Sequence, residues 1–169
     1  FIDSLEKKTL FLPKCRHVSW DKLIKRKLLI ENSITFQNVL TNNDVFFSLA
    51  SMLMAEKIVV YDEILLRYYD GRPGNLTEIR FFKQNHTVDA FYAVYLFCIR
   101  RNVDHRLREV FMNMLADNIQ MYLSEAVYPY VMREQSRKAL MQHRDLIREL
   151  CLRAEAGSLY PHNQNFVRR

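Results

Sequence analysis

Hydrophobic residues recur at intervals of three and four along most of the chain, which is the spacing that places them on one face of an α-helix. The pattern is strongest around Leu107, Val110 and Phe111. Gly157 is the expected stop of the last helix, because glycine favours helix ends, and residues 160–169 are expected to form a tail. The pattern predicts helices within residues 1–12 and over residues 20–32, 41–56, about 78–101, about 105–127 and about 132–155.

Two segments instead have the β-branched and aromatic composition of strands. They are KIVVY at residues 57–61 and ILLRYY at residues 64–69, and the acidic pair between them predicts a turn. The stretch DGRPGN at residues 70–75 contains glycine and proline and predicts a loop. We therefore expect a first domain over residues 1–77 and a helical extension over residues 78–169.

Composition and charge narrow the class of protein. Of the 169 residues, 49% are hydrophobic and 26% are charged, which is typical of a globular chain. The net charge of +6 suits partners that carry phosphate groups. The three cysteines are scattered and lack metal-binding spacing, which argues against a disulfide scaffold or a zinc site. The longest apolar run, at residues 90–99, is too short to span a bilayer. We therefore expect a cytoplasmic chain that is soluble or peripheral to a membrane.

The helix predicted at residues 41–56 begins with a carboxylate that has two interpretations. Thr41 and Asp44 have the spacing of a capping box, in which the threonine caps the helix and the acid reaches back to the threonine N–H. A carboxylate at a helix N-terminus can also face a ligand and take a proton from it. The local sequence favours the capping role, and the two roles can coexist.

Other candidate binding residues also have ordinary structural interpretations. Trp20, the only tryptophan, stands beside Asp21 at the start of a predicted basic helix. A lone tryptophan usually anchors packing, and an aspartate at this position usually caps the helix. Tyr69 ends the second predicted strand, and Arg72 lies in the loop that follows it. Both residues would either face a ligand or belong to an ordinary polar turn.

Taken in order, these segments resemble the second half of an inverting family-2 glycosyltransferase domain of the bacterial polysaccharide type. The resemblance covers residues 14–77 and rests on an ordered set of short motifs. The matching residues are Trp20-Asp21-Lys22-Leu23, Lys25-Arg26, Leu28-Leu29, Phe36, Asn43-Asp44, Phe47, Ala55, Lys57-Ile58, Glu63, Leu65, Tyr68-Tyr69, Arg72 and Asn75-Leu76-Thr77.

The resemblance implies an α/β parent fold of the GT-A type, of which this chain would carry only the second half. That half would be mostly helical with a short β-hairpin or strand pair, followed by a C-terminal helical bundle. The resemblance also implies that Asp44 is the general base that deprotonates a hydroxyl of the acceptor sugar. The residues implied to bind substrate are Trp20, Asp21, Asn43, Tyr69 and Arg72.

The implied partners are a nucleotide-sugar donor and a glycan or lipid-linked acceptor, with no nucleic acid. The divalent metal of the family, Mg²⁺ or Mn²⁺, would be held by residues outside this chain. The resemblance is also compatible with peripheral membrane association and with a homo-oligomer. The absence of a Q-x-x-R-W motif favours the addition of single sugars.

Three departures from the family pattern affect the interpretation. Asn43 stands where the family usually has glutamate, and Asp70 follows Tyr69 where arginine is common. No Asp-x-Asp motif precedes Trp20, and the first half of the domain, which binds the donor, is missing. The chain would therefore be either a fragment of a longer enzyme or a domain that cannot bind the donor by itself.

The alternative is a non-catalytic helical interaction module. Its basic surface would bind a partner protein or an anionic surface. A nucleic-acid binder is less favoured, because the basic and apolar residues at positions 20–29 are not accompanied by a recognition fold.

Overall fold

The computed structural model of the protein describes residues 1–69, 86–124 and 130–167, and most of these residues are helical. A short 3-10 turn covers Leu12–Lys14. The α-helices of the described residues are α1 (Leu5–Phe11), α2 (Arg26–Glu31), α3 (Asn43–Met54), α4 (Thr87–Arg100), α5 (His105–Leu123), α6 (Tyr130–Gln142), α7 (Arg144–Glu155) and α8 (Pro161–Val167).

The core is formed by apolar side chains from most of these helices. Leu49 of α3, Phe91 and Val94 of α4, Leu115 of α5 and Leu146 of α7 are each at most 1% exposed. They belong to one continuous buried cluster. Side chains from both predicted domains therefore share a core. The predicted boundary itself lies outside the described residues, and the division into two domains stays a prediction.

The predicted strands at residues 57–61 and 64–69 are wrong, and so is the α/β class of the GT-A type, because the described residues form no strand or sheet. An isolated antiparallel bridge joins Ile2 and Ile58, with both N···O distances at 2.8 Å. Beyond it the segment exposes its apolar side chains, among them Ile64 at 84%. A strand needs a neighbouring strand to satisfy its backbone hydrogen bonds, and the described part of the chain supplies none.

The predicted helix at residues 20–32 is present only as α2, because the residues before α2 form a loop around the Lys22 side chain. The Lys22 Nζ donates hydrogen bonds to the carbonyl oxygens of Arg16 at 2.8 Å and Val18 at 2.6 Å. It also pairs with the Asp21 carboxylate at 2.6 Å, and the lysine side chain is only 15% exposed. These bonds satisfy the loop carbonyls and compete with continuation of the helix.

The predicted helix at residues 132–155 is divided into α6 and α7 at His143. The His143 ring stacks on Tyr92 of α4 with ring centroids 3.9 Å apart, and its Nε2 lies 2.8 Å from an oxygen of Asp89. The His143 backbone, with φ −109° and ψ 58°, is not helical. Contacts with another helix therefore accompany a break that the local hydrophobic pattern does not show.

Three helices end at a residue with positive φ. These residues are Ser33 after α2 (53°), Asn102 after α4 (47°) and Gly157 after α7 (71°). After α7, the Ser158 N–H donates a 3.0 Å hydrogen bond to the carbonyl oxygen of Arg153 in the last turn. This arrangement is the Schellman ending, and the predicted stop at Gly157 is confirmed.

The predicted C-terminal tail is wrong for residues 161–167, which form α8. Asn163 of α8 is fully buried, and its Nδ2 donates a 3.2 Å hydrogen bond to the backbone oxygen of Asn113 on α5. The Asn113 side-chain oxygen accepts a 2.6 Å hydrogen bond from the Tyr160 N–H. A helix this short is marginal in isolation, so its packing on α5 stabilises it.

Candidate functional site

A cleft of about 360 Å³ opens where the loop before α2 meets the start of α3. Its lining comes from distant parts of the sequence. Trp20 comes from the loop, Asp44 from α3, Tyr68 from the exposed segment, Phe91 from α4 and Asn118 from α5. Small-molecule sites are commonly concave and combine aromatic walls with a few polar groups, and this cleft has that composition.

Trp20 forms an aromatic wall of the cleft. Its ring stacks on Tyr68 with ring centroids 5.3 Å apart and an interplanar angle of 12°. The Arg16 guanidinium carbon lies 4.8 Å from the centroid of the Trp20 ring. Trp20 is 36% exposed, and the hydrogen bonds of Lys22 hold the loop that carries it. The ring is therefore held in position while part of its surface is open to a ligand.

The start of α3 differs from the predicted capping box. The N-cap is Asn42, whose φ of 61° is left-handed, and the helix begins at Asn43. Thr41 is buried, and its Oγ1 accepts a 3.4 Å hydrogen bond from the His86 N–H. Asp44 lies in the first turn of α3, where the helix dipole favours a carboxylate. The predicted cap at Thr41 is wrong, whereas the position of Asp44 in the first turn is confirmed.

Two acceptor groups at the start of α3 are available to a ligand. Within residues 1–69, 86–124 and 130–167, no hydrogen bond or ion pair involves the Asp44 carboxylate. The Asn42 Oδ1 is buried and likewise has no hydrogen-bond partner in that part of the chain. A buried acceptor without a donor is costly, so the Asn42 Oδ1 favours a ligand that donates a hydrogen bond. The Asp44 carboxylate is only partly buried and can accept a second hydrogen bond from the same ligand.

His17 lines the same cleft as a neutral imidazole. Its ring meets Phe91 edge-on, with ring centroids 5.6 Å apart. Burial, and to a smaller extent the positive charge of Lys22, lowers the pKa of His17 to about 4. The ring is therefore uncharged at neutral pH and offers one donor and one acceptor nitrogen. The local sequence around His17 contains no motif that marks this role.

The lowered pKa of His17 predicts that acid destabilises the protein. Between pH 6.5 and about 4 the unfolded chain binds a proton at His17 that the folded chain does not bind. The free energy of unfolding is therefore fully retained above pH 6.5 and falls by up to roughly 1.4 kcal/mol per pH unit as the pH drops towards 4. Urea unfolding followed by circular dichroism at several pH values measures this slope.

The matched comparison is between two histidine variants. His17→Gln should flatten the dependence of stability on pH in this window, whereas His105→Gln, at a side chain that is 70% exposed, should leave the slope of the natural chain unchanged. Equal slopes in the natural chain and His17→Gln would contradict the assignment.

Three of the predicted site residues line the cleft. They are Trp20, Asn43 and Asp44. Asp21 is absent from the lining and pairs with Lys22. It also does not cap α2, whose N-cap is another residue. The binding and catalytic roles of all four residues stay predictions.

Of the other two predicted residues, Tyr69 is absent from the described lining of the cleft. Tyr69 is 75% exposed, and its neighbour Tyr68 lines the cleft beside Trp20. The sequence therefore pointed to the Tyr68-Tyr69 pair, but the local pattern does not decide which of the two rings faces the cleft. Arg72 lies outside the described residues.

Residues of α4 and α5 also line the cleft, and the sequence motifs did not select them. They are Thr87 and Phe91 on α4 and Asn118 and Tyr122 on α5. Asn118 follows Met114 by four positions and precedes Tyr122 by four, so it continues a stripe of buried residues. A polar residue within a stripe of buried residues is the only sequence signal that could have pointed to Asn118. Without the tertiary structure this signal is weak.

The described residues contain neither a candidate metal cluster nor a membrane-spanning helix. No three or more His, Cys, Asp or Glu side chains among them come together in a way that would hold a metal ion. No helix in the same residues has both the length and the apolar character needed to cross a bilayer.

No protein family, curated protein or solved structure matches this chain. The fold and the cleft define a mostly α-helical protein with a concave site that combines aromatic rings with hydrogen-bond acceptors.

Proposed function

We propose that the chain is part of a glycosyltransferase, that its cleft holds the acceptor sugar and that Asp44 is the general base. The observation that carries the proposal is the shared position of Trp20, Asn43 and Asp44 in the lining of one cleft. The family resemblance selected these residues from separate motifs. Nothing in the local sequence requires Trp20 to lie beside Asn43 and Asp44.

The lining contains the two kinds of group that a sugar site needs. An aromatic ring such as Trp20 offers an apolar surface to the C–H face of a sugar, and the start of α3 offers oxygen acceptors to its hydroxyls. The exposed part of the Trp20 ring and the unpaired Asp44 carboxylate therefore suit different parts of one sugar ring.

The proposed reaction is a single displacement. The Asp44 carboxylate accepts the proton of an acceptor hydroxyl as that oxygen forms a bond to the anomeric carbon of a nucleotide-sugar. The bond between this carbon and the nucleoside diphosphate breaks, and the diphosphate leaves with the electron pair. Attack from the face opposite the leaving group inverts the configuration.

The donor nucleotide would be held by residues other than those of this cleft. The sequence has no Gly-rich phosphate-binding motif, and the described residues have no metal cluster. In our proposal the donor-binding half and its divalent metal are supplied by other residues of the gene product or by a partner. The net charge of +6 supports a phosphate-bearing donor or peripheral contact with an anionic membrane. The three free cysteines support a reducing compartment such as the cytoplasm.

A fluorescence titration tests the proposed sugar site. Because Trp20 is the only tryptophan, its emission reports on the cleft. Methyl glycosides of glucose, galactose and N-acetylglucosamine are the probes. At least one of them should change the emission saturably, with a Kd of about 1–10 mM, as expected for a single sugar. Asp44→Ala should weaken that binding roughly tenfold, because it removes a charged acceptor.

Asp62→Ala is the matched control, since this carboxylate is exposed and absent from the lining of the cleft. It should leave the Kd unchanged. A natural chain whose emission responds saturably to none of the three sugars would overturn the proposal.

The second candidate is a non-catalytic interaction module, and the exposed segment after Ile58 favours it. Val59, Val60, Ile64 and Leu65 are each at least 60% exposed. Large apolar side chains that cluster on a surface often mark a site for a partner protein. A module of this kind would bind no sugar in the cleft, so the same titration distinguishes the two candidates.

A further inference from the structure

α5 contributes polar side chains to the cleft from a part of the chain outside the glycosyltransferase resemblance. Asn118 and Tyr122 are four positions apart, so they lie on the same face of the helix, and both line the cleft. Gln120, between them, is exposed and is not part of the lining. One face of α5 is therefore a wall of the proposed acceptor site.

The orientation of the Asn118 amide follows from its hydrogen bond. Its Nδ2 donates to the carbonyl oxygen of Met114 at 2.7 Å, one turn earlier in α5. A backbone carbonyl only accepts hydrogen bonds, so the nitrogen of the amide must face it. The Oδ1 of Asn118 is consequently the atom left to accept a hydrogen bond from a ligand.

Several of the polar groups that line the cleft offer acceptor oxygens. The Asn42 Oδ1 is buried without a partner in the described residues, and the Asp44 carboxylate is likewise unpaired there. Asn118 adds a third acceptor oxygen. The neutral His17 ring offers one N–H donor. These acceptor oxygens suit a ligand that presents several O–H donors, as a sugar ring does.

We propose that Asn118 is a specificity-determining residue whose Oδ1 accepts a hydrogen bond from a hydroxyl of the acceptor saccharide. The inference rests on the proposed function, because it assumes that the cleft binds a sugar. It extends the site beyond the glycosyltransferase motifs: α3 and the Trp20 loop hold the sugar, and α5 selects among sugars by the position of a hydroxyl. A site built to bind a hydroxyl rejects ligands that lack it or orient it differently.

The test compares Asn118→Leu with Gln120→Leu on the same helix, using Trp20 emission and the three methyl glycosides. Asn118→Leu should raise the Kd of the preferred sugar roughly tenfold and should reduce the ratio between the Kd values of the preferred and the poorest sugar. A merely structural effect would weaken all three sugars equally and leave that ratio unchanged. Asn118→Asp, which keeps an acceptor oxygen, should preserve the order of preference, and Gln120→Leu should behave like the natural chain.

Each outcome bears on the proposals differently. If the natural chain binds none of the sugars, the proposed function and this inference both fall. If the natural chain binds and Asp44→Ala weakens binding, but Asn118→Leu keeps the natural Kd ratio, the proposed function stands and the role of Asn118 is wrong. Far-ultraviolet circular dichroism verifies that each variant retains its helices.

Discussion

Asp44→Asn is expected to lower sugar transfer by roughly 10²–10⁴-fold, which is the usual contribution of a positioned general base. Asparagine has nearly the shape of aspartate and keeps one acceptor oxygen, so the sugar should still bind, but the amide cannot take the proton of the attacking hydroxyl. The rate is measured as nucleotide released from nucleoside-diphosphate sugars by the complete gene product, with the acceptor held at saturation.

Two controls make this result specific. Asp62→Asn makes the same chemical change at an exposed carboxylate outside the cleft and should leave the rate unchanged. Donor binding, measured separately by calorimetry, should persist in Asp44→Asn. Turnover close to that of the natural protein would assign the base to another residue, and the catalytic role of Asp44 would be withdrawn.

Phe111→Ala is expected to lower the free energy of unfolding by roughly 3–5 kcal/mol, as large-to-small changes at buried aromatic residues usually do. Phe111 is 2% exposed, and its ring stacks on Phe91 with ring centroids 5.9 Å apart. The substitution removes apolar contacts between α4 and α5 and leaves a cavity. Because Phe91 also lines the cleft, the same change should loosen the wall that carries it. Urea unfolding followed by circular dichroism measures the loss.

Met121→Ala is the matched control for this substitution. Met121 lies on the same helix but is 38% exposed, so its truncation should change stability by no more than about 0.5 kcal/mol. Phe111→Leu, which keeps most of the buried volume, should cost less than Phe111→Ala. A loss below about 1 kcal/mol for Phe111→Ala would show that the two aromatic rings do not organise the core as described.

The candidate site was only partly predictable from the sequence. Trp20, Asn43 and Asp44 could be selected because they belong to motifs with a recognisable order. His17 and Asn118 could not, because neither belongs to a recognisable motif and each is brought into the cleft only by the packing of distant segments. A binding surface built from five separate segments depends on how those segments pack, which no local pattern records.

The segment after Ile58 gives the clearest contrast between local preference and tertiary structure. Its β-branched and aromatic residues have the composition of a strand. Such residues pack well within a β-sheet, but a strand forms only where a neighbouring strand is available to pair with it. In the described residues the pairing stops at the Ile2–Ile58 bridge, and the apolar side chains that follow are exposed.

The features that depend only on neighbouring residues could be read from the amino-acid sequence. It placed α3 and α5 through their hydrophobic spacing, and it placed the end of α7 through Gly157, because helix faces and helix ends are set by residues within a few positions of one another. Three other features became visible only in the folded chain. They are the break at His143, the docking of α8 on α5 and the stacking of Tyr68, not Tyr69, on Trp20. These features depend on hydrogen bonds and ring contacts with residues far away in the chain, and such contacts exist only once the helices have packed.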